Sequence, residues 1–272
     1  SATFPDVLKR ELDFLHADEL LDQARIEQEY RQIRRTRWEF SDDNLSNNID
    51  DIVAEYENGS NVLVVLNKVS TAQDVFRLLR QELANRTHPT DDIMLIHSRF
   101  TFRDRRNLED RIMRYPRIVV STQIIEVSLD IDYDIMFTEA CLLDALVQRT
   151  GRINRRGNLG NNGEGLVRIF LPDYWDTDRE RASRPYDQAL LEHAVDIIRQ
   201  ESPNITTEWD YVRLTNLFYN NNWQSDPAAE RRFAEVWNTL RYIYRANLGE
   251  ERIRELLQTR SGYITVNAFS RT

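Results

Sequence analysis

The sequence predicts an α/β protein: a parallel sheet with helices on both faces, followed by a smaller, mostly helical region. Three observations predict it. Short apolar, β-branched runs recur at "NVLVVLN" (61–67), "DIMLIHS" (92–98), "RIVVST" (117–122), "YDIMFTEA" (133–140) and "GEGLVRIFLP" (163–172). Stretches of helical texture separate them, and after Pro172 long helix-like runs replace the β-branched ones. Strands alternating with helices build a parallel sheet with right-handed crossovers.

Taken in order, residues 1–40, through "RELDFLHADELLDQARIEQEYRQIRRTRWEF", are predicted as a charged, mostly helical lead-in, and "SDDNLSNN" (41–48) as a polar break. "LSNNIDDIVAEYENG" reads as a helix ending at Gly59, where a glycine supplies the backbone freedom that stops a helix. The run 61–67 is apolar without alternation, as in a strand buried on both faces. "STAQDVFRLLRQELANR" (70–86) is amphipathic, with Ser70 or Thr71 as its cap. Helices are also predicted over "FRDRRNLEDRIMR" (102–114) and "LLDALVQR" (142–149). Residues 41–172 thus form the α/β lobe. "DYWDTDRERASRP" reads as a linker, and "YDQALLEHAVDIIRQE" and "DPAAERRFAEVWNTLRYIYRANLGEERIRELLQTR" as helices of an extension over 173–272.

Composition sets bounds on function. The chain has 272 residues, 41% hydrophobic and 30% charged, with a net charge of −9. Nucleic-acid binding must therefore come from a local basic patch and not from an overall basic field. Cys141 is the single cysteine, which excludes an internal disulfide and a cysteine-rich zinc site and predicts a reducing compartment. No apolar run approaches the roughly 20 residues that span a bilayer, and no signal peptide is visible, so a cytoplasmic protein without a membrane partner is expected.

The positive charge is almost all arginine, since Lys9 and Lys68 are the only lysines. Arginine grips phosphate with a planar, bidentate fork. Ligands of open α/β sheets bind beyond the carboxyl ends of the strands. That rule gathers Asn67, His97, Ser98, Arg99, Ser121, Thr122 and Gln123 on one edge. The segment "HSRFTFRDRRNLEDRIMRYPR" holds seven arginines against three acids. It fits a sugar–phosphate backbone, or equally a solvated helix face with ion pairs such as Arg106–Asp110. "IIEVSLDID" carries three acids; Asp130 could accept from a ribose hydroxyl or be a surface loop acid. In "QRTGRINRRG" (148–157), Arg149, Arg152 and Arg155 recur every three residues, near one face of a helix end. They could stabilise the charge of a transferring phosphoryl group or simply favour a helix carboxyl end. Glycine within the run favours close backbone approach.

Together these stretches resemble the second RecA-like lobe of a superfamily 2 helicase. "SAT" (1–3) resembles the motif that couples nucleotide state to strand binding; "VLVVLNKVSTAQDVF", "IVVSTQIIEVSLDID" and "QRTGRINRRG" resemble the fourth, fifth and sixth motifs. "LIHSRFTFRDRRNLE", "STQIIEVSLDID" and "TEACLLDALVQRTGRINRRG" resemble the CRISPR-associated helicase–nuclease of type I systems most of all. The resemblance covers residues 1–172. It implies that Arg152 and Arg155 are arginine fingers, with Gln148 and Arg149 close by, and that Asp130 contacts the ATP ribose. It implies that Ser121, Thr122 and Gln123 hold the tracking strand, with Asn67, His97, Ser98, Arg99 and Arg105 extending the grip. Ser1 and Thr3 would link two lobes. The implied cofactor is ATP with Mg2+. The implied partners are single-stranded DNA, an amino-terminal helicase lobe with a nuclease domain, and a crRNA-guided surveillance complex.

The 272 residues depart from the family in three ways. They contain no G-x-x-x-x-G-K-[ST], no acidic box at the end of an apolar strand, and no His-Asp pair for nuclease metals, because His16, His88, His97 and His193 are each followed by another residue type. The expectation is a carboxyl-terminal half that binds no metal and hydrolyses no ATP by itself. An RNA helicase lobe and a non-catalytic interaction module are the alternatives.

Overall fold

The computed structural model describes residues 23–97, 116–126, 130–157 and 163–221, together with 258–259 and 262–263. Six strands are β1 (Thr36–Asn44), β2 (Val62–Val65), β3 (Ile93–Ile96), β4 (Ile118–Ser121), β5 (Ile135–Glu139) and β6 (Gly165–Leu171). They form one sheet in the order β1-β6-β5-β2-β4-β3, and every neighbouring pair is parallel. The helices are α1 (Gln23–Tyr30), α2 (Ile49–Glu57), α3 (Val69–Asn85), α4 (Leu143–Thr150), α5 (Arg179–Ser183), α6 (Gln188–Glu201) and α7 (Glu208–Asn221). The expected RecA-like α/β architecture is present.

The core follows from the apolar pattern. In α3, Ala72, Val75, Leu79 and Leu83 recur at three- and four-residue spacing and are buried as one stripe. With Ile52, Val53 and Tyr56 of α2 they pack on Val62, Val64, Ile118, Val120, Ile135 and Phe137. Successive strand residues point to opposite faces. Leu63, Val65, Val119 and Met136, which point the other way, are also fully buried, so both faces of the central strands are covered.

Three details differ from the sequence reading. Residues 36–44 form a strand, where a helix end and a polar break were expected. Among the described residues β1 pairs only with β6, and a strand on the edge of a sheet tolerates charge: its Glu39 meets Arg168 of β6 at 3.3 Å. Helix α3 begins one residue early, at Val69. Its cap is the extended Lys68, which makes no side-chain capping bond, so neither Ser70 nor Thr71 caps it. The supposed linker after Pro172 is packed: Trp175, Ala182 and Ser183 are buried, and Ser46 Oγ donates to Asp173 Oδ2 at 3.0 Å.

One compact unit accordingly takes in residues 21–218 and does not stop at Pro172. Trp38 of β1 stacks on Tyr211 of α7 with ring centroids 5.5 Å apart, and Tyr211 and Thr36 share a hydrogen bond. A second unit includes residues 219–272, in which β7 (Gln258–Thr259) and β8 (Gly262–Tyr263) pair antiparallel. Ser1, Thr3, Ser98, Arg99, Arg105, the predicted helix 102–114 and the predicted helical run 226–260, apart from 258–259, lie outside the described residues.

Candidate functional site

The predicted residues separate into two groups at opposite ends of the strands. Asn67, His97, Ser121, Thr122 and Gln123 sit at the carboxyl ends of β2, β3 and β4. Helix α4 leaves the carboxyl end of β5 and runs back along the sheet, which delivers the arginine-rich loop to the amino end. There Ile153 forms a parallel bridge with Tyr133, two residues before β5 begins.

At the carboxyl edge the organising side chain is Arg149, which is fully buried. A helical side chain leans toward the helix amino terminus, so Arg149 reaches back from the end of α4 to the end of β5. Its Nε donates to Glu126 Oε1 at 2.8 Å. Nη1 donates to Thr138 Oγ1 at 3.0 Å and to the Glu139 carbonyl at 3.2 Å. Nη2 donates to Asn67 Oδ1 at 3.0 Å and to Tyr186 Oη at 3.2 Å. The five N–H groups of the guanidinium thus have five acceptors. Arg149 thus spends its guanidinium on protein groups, where the resemblance set the residue close to the arginine fingers. The shared face expected of Arg149, Arg152 and Arg155 is corrected: the helix stops at Thr150, Arg149 points inward, and Arg155 lies in the turn beyond.

Asn67 belongs to the same network. Its backbone N–H donates to Glu139 Oε2 at 2.6 Å and its Nδ2 to the Ala140 carbonyl at 2.8 Å. Gln123 Nε2 donates to the Asn67 carbonyl at 2.7 Å. Asn67, His97, Ser121 and Thr122 are all buried, while Gln123 is half-buried. They gather on one edge as the rule expects, and most of them hold that edge together from within.

Burial pushes the Glu126 carboxyl up, with Arg149 opposing it. Burial likewise pushes Glu139 up, to about 7, against the Asn67 N–H that favours its ionised form. The fold therefore keeps the Glu139 proton to higher pH than the unfolded chain, whose carboxyl has the ordinary value of 4.5. The stabilisation from this group is complete below the unfolded value and is lost as pH rises through the folded one, by at most about 1.4 kcal/mol per pH unit. Glu139→Gln should flatten that fall. Urea unfolding between about pH 5 and 8 reads the slope directly; an unchanged slope in the variant refutes the assignment. Beside Glu139, burial pushes the Cys141 thiol up to about 12. Cys141 should resist alkylation in the native chain and react only on unfolding, as mass spectrometry along a denaturant series would record.

At the amino edge the arrangement is open. Asp132 accepts the Arg155 N–H at 2.7 Å and the Arg156 N–H at 3.2 Å, one on each carboxylate oxygen. Asn154 adopts φ +45 and its Nδ2 donates to the Arg35 and Gly163 carbonyls at 2.9 and 3.0 Å. Gly165 completes the seat, because a Cβ there would fall 2.4 Å from Ile153 Cγ2. The loop so fixed presents Arg155, with Nη1 2.9 Å from Asp130 Oδ1; both side chains are exposed. Arg152 is half-buried and donates to the Ile125 and Glu126 carbonyls at 3.1 and 2.8 Å. Burial, and then the neighbouring Arg155 cation, lower its pKa against the pull of Asp130. Gln148 is exposed on the last turn of α4.

Sequence reasoning missed Thr138, Glu139 and Tyr186 as partners of Arg149, and Asp132 and Asn154 as supports of the loop. Glu126 and Asp132 stood in the acid-rich "IIEVSLDID", which was a signal; Tyr186, 37 residues beyond Arg149, gave none. Among the described residues no group of three or more His, Cys, Asp or Glu is placed to hold a metal ion, and no helix is long and apolar enough to cross a membrane.

Residues 58–158 match the family described as CRISPR-associated nuclease/helicase Cas3, C-terminal. A putative CRISPR-associated nuclease/helicase Cas3 of Methanocaldococcus jannaschii is 31% identical over 164 residues, 56% of this chain and 20% of that protein. The CRISPR-associated endonuclease/helicase Cas3 of Escherichia coli K12 is 36% identical over 116 residues, 39% of this chain and 13% of its own length. The chain thus spans about a fifth or less of these relatives. Among solved structures, T. fusca Cas3-AMPPNP superposes with a TM-score of 0.61 at 21% identity, over 79% of this chain and 27% of that one. A chain of a CRISPR RNA-guided surveillance complex in a pre-nicking state gives 0.58 at 23% identity, over 79% and 28%. These two likenesses support the fold.

Proposed function

We propose, from the premise that residues 58–158 are a Cas3-like helicase C-terminal region, that this chain supplies the second RecA-like lobe of an ATP-dependent translocase acting on single-stranded DNA in CRISPR type I interference. The observation that carries the reading is the seated loop at the amino edge. It sets Arg155 and Arg152 beside the exposed carboxylate of Asp130, on a backbone pinned by Asp132 and Asn154.

That donor set suits a nucleotide shared with another lobe. Two guanidinia suit a terminal phosphate, and one exposed carboxylate suits a ribose hydroxyl. The sequence holds no G-x-x-x-x-G-K-[ST] loop to cradle the phosphates. The reading assigns that loop, and the ligands of Mg2+, to the partner lobe. When bound, ATP supplies the phosphoryl group whose transfer to water releases the energy for movement. Arg155 exchanges its Asp130 contact for the phosphate, and Arg152 follows from its half-buried position. Gln148 lines the same approach. Once both have moved onto the phosphate, their charge stabilises the transition state of the transfer.

The carboxyl edge serves the strand in this reading. Gln123 offers surface, while Asn67, His97, Ser121 and Thr122 keep the edge in shape. Ser98, Arg99 and Arg105 are assigned to the same strand, and Ser1 and Thr3 to the link between lobes, on the resemblance alone.

The test is ATP hydrolysis by three preparations: this chain alone, the chain joined to a lobe that carries the phosphate-binding loop, and the joined protein with single-stranded DNA or RNA. The expected result is no turnover from the chain alone and DNA-stimulated turnover from the joined protein. Stronger stimulation by RNA would move the substrate class. A joined protein that is inactive with both would leave an interaction module.

A further inference from the structure

We propose that Tyr174, with Lys68 and Arg181 beside it, is a base-stacking subsite for single-stranded nucleic acid at the carboxyl edge of the sheet. The proposal rests on the strand-tracking reading above and extends it to residues outside its motifs.

The backbone at Tyr174 is the first observation. Tyr174 adopts φ +71, a region that a bulky side chain enters only at a cost. The residues on either side hold it there. Asp173 accepts from Ser46 Oγ at 3.0 Å, and Trp175 is buried beneath the turn. The Thr177 and Asp178 N–H groups both donate to the Tyr174 carbonyl, at 3.1 and 2.8 Å. Between two anchored neighbours the ring is turned outward and is 41% exposed. Among the described residues only Leu78 is another large hydrophobic side chain so exposed. Strain that keeps an aromatic ring in water gains nothing for the core.

The surroundings of the ring are the second observation. The Arg181 guanidinium lies 3.7 Å from the ring centroid and the Lys68 ammonium 5.9 Å from it. Lys68 also donates to the Arg181 carbonyl. Asp173 is engaged by Ser46, and the nearby Glu180 is paired with Arg184 at 2.8 Å. An aromatic ring and a flat guanidinium are the two side-chain surfaces on which unpaired bases stack, and an ammonium attracts the phosphate that follows.

Position in the sheet is the third. Tyr174 follows the carboxyl end of β6, and Lys68 follows that of β2. In the sheet β5 stands between those strands, so the two side chains meet across its end. On the far side of β2, Gln123 follows β4 and bonds back to the Asn67 carbonyl. The subsite is therefore the next step along the edge already assigned to the strand. A strand laid there would pass from Gln123 over Lys68 to Tyr174.

The experiment is fluorescence anisotropy of the 272-residue chain at low salt with two labelled oligonucleotides of equal length, one of thymidines and one abasic. Tyr174→Ala should weaken thymidine binding by about fivefold to a hundredfold, and Tyr174→Phe by less than about twofold. Binding of the abasic strand should be indifferent to Tyr174→Ala, whereas Lys68→Ala should weaken both ligands. Tyr174→Asn, whose side chain tolerates this backbone, repeats the test in a chain with the native turn. The subsite is overturned if both Tyr174→Ala and Tyr174→Asn bind thymidines like the parent chain, or if they weaken the abasic strand equally. A parent chain that binds neither oligonucleotide would overturn the strand-tracking reading and the subsite together.

Discussion

Replacing Arg149 with alanine should cost the chain about 3–5 kcal/mol of stability, the loss that follows removal of one partner from a buried ion pair. Five acceptors lose their donor at once. Glu126 and Asn67 are then left in a space that water cannot easily reach. For a unit of this size the melting temperature should fall by roughly 6–20 °C. Arg149→Lys should recover little, because one ammonium cannot reproduce a planar fork with acceptors on every side. The double variant Arg149→Leu with Glu126→Leu should lose less than the sum of its single changes, because they share one contact. Additive losses, or a melting temperature unmoved by Arg149→Ala, would show that the network is not what holds the carboxyl edge.

Arg155→Ala should behave in the opposite way. In the joined protein it should lower kcat for ATP hydrolysis by about a thousandfold or more, the range for an arginine that meets a transferring phosphoryl group. The chain itself should lose less than about 1 kcal/mol, because the ion pair with Asp130 is solvent-exposed and such pairs contribute little. The two variants therefore separate folding from chemistry within one decapeptide. Thermal unfolding of the chain and steady-state hydrolysis by the joined protein read them independently. Full hydrolysis by Arg155→Ala would remove that residue from the reaction. If Arg152→Ala were also fully active, the nucleotide role of the loop would fail.

Much of this was legible in the sequence. The four strands with unbroken apolar runs were readable because burial on both faces leaves no polar alternation to confuse them. β1 was not, because an edge strand with one neighbour can carry "RWEFSDD" and so resembles a charged helix end. The segment after Pro172 looked like a linker for a similar reason: its buried residues, Trp175, Ala182 and Ser183, are too few and too scattered to make a period. The candidate site was legible as residue types and not as directions. The spacing of three drew Arg149, Arg152 and Arg155 together. It could not show that the helix ends at Thr150, so that one arginine faces the interior and another the solvent. Nor could the rule about strand ends reveal that α4 carries the arginine loop to the opposite end of the sheet from Asn67 and Thr122.

Arg152 has a consequence of its own. Two of its hydrogen bonds fall on the carbonyls of Ile125 and Glu126, which continue the turn begun by Thr122 and Gln123. If a phosphate draws this guanidinium away, the turn loses two ties, and a change in the turn alters what Gln123 offers at the far edge. Linkage is reciprocal: a strand that favours the altered turn must favour the nucleotide by the same factor. On the roles proposed for this loop and this turn, the half-buried arginine would make nucleotide affinity and strand affinity two measures of one equilibrium.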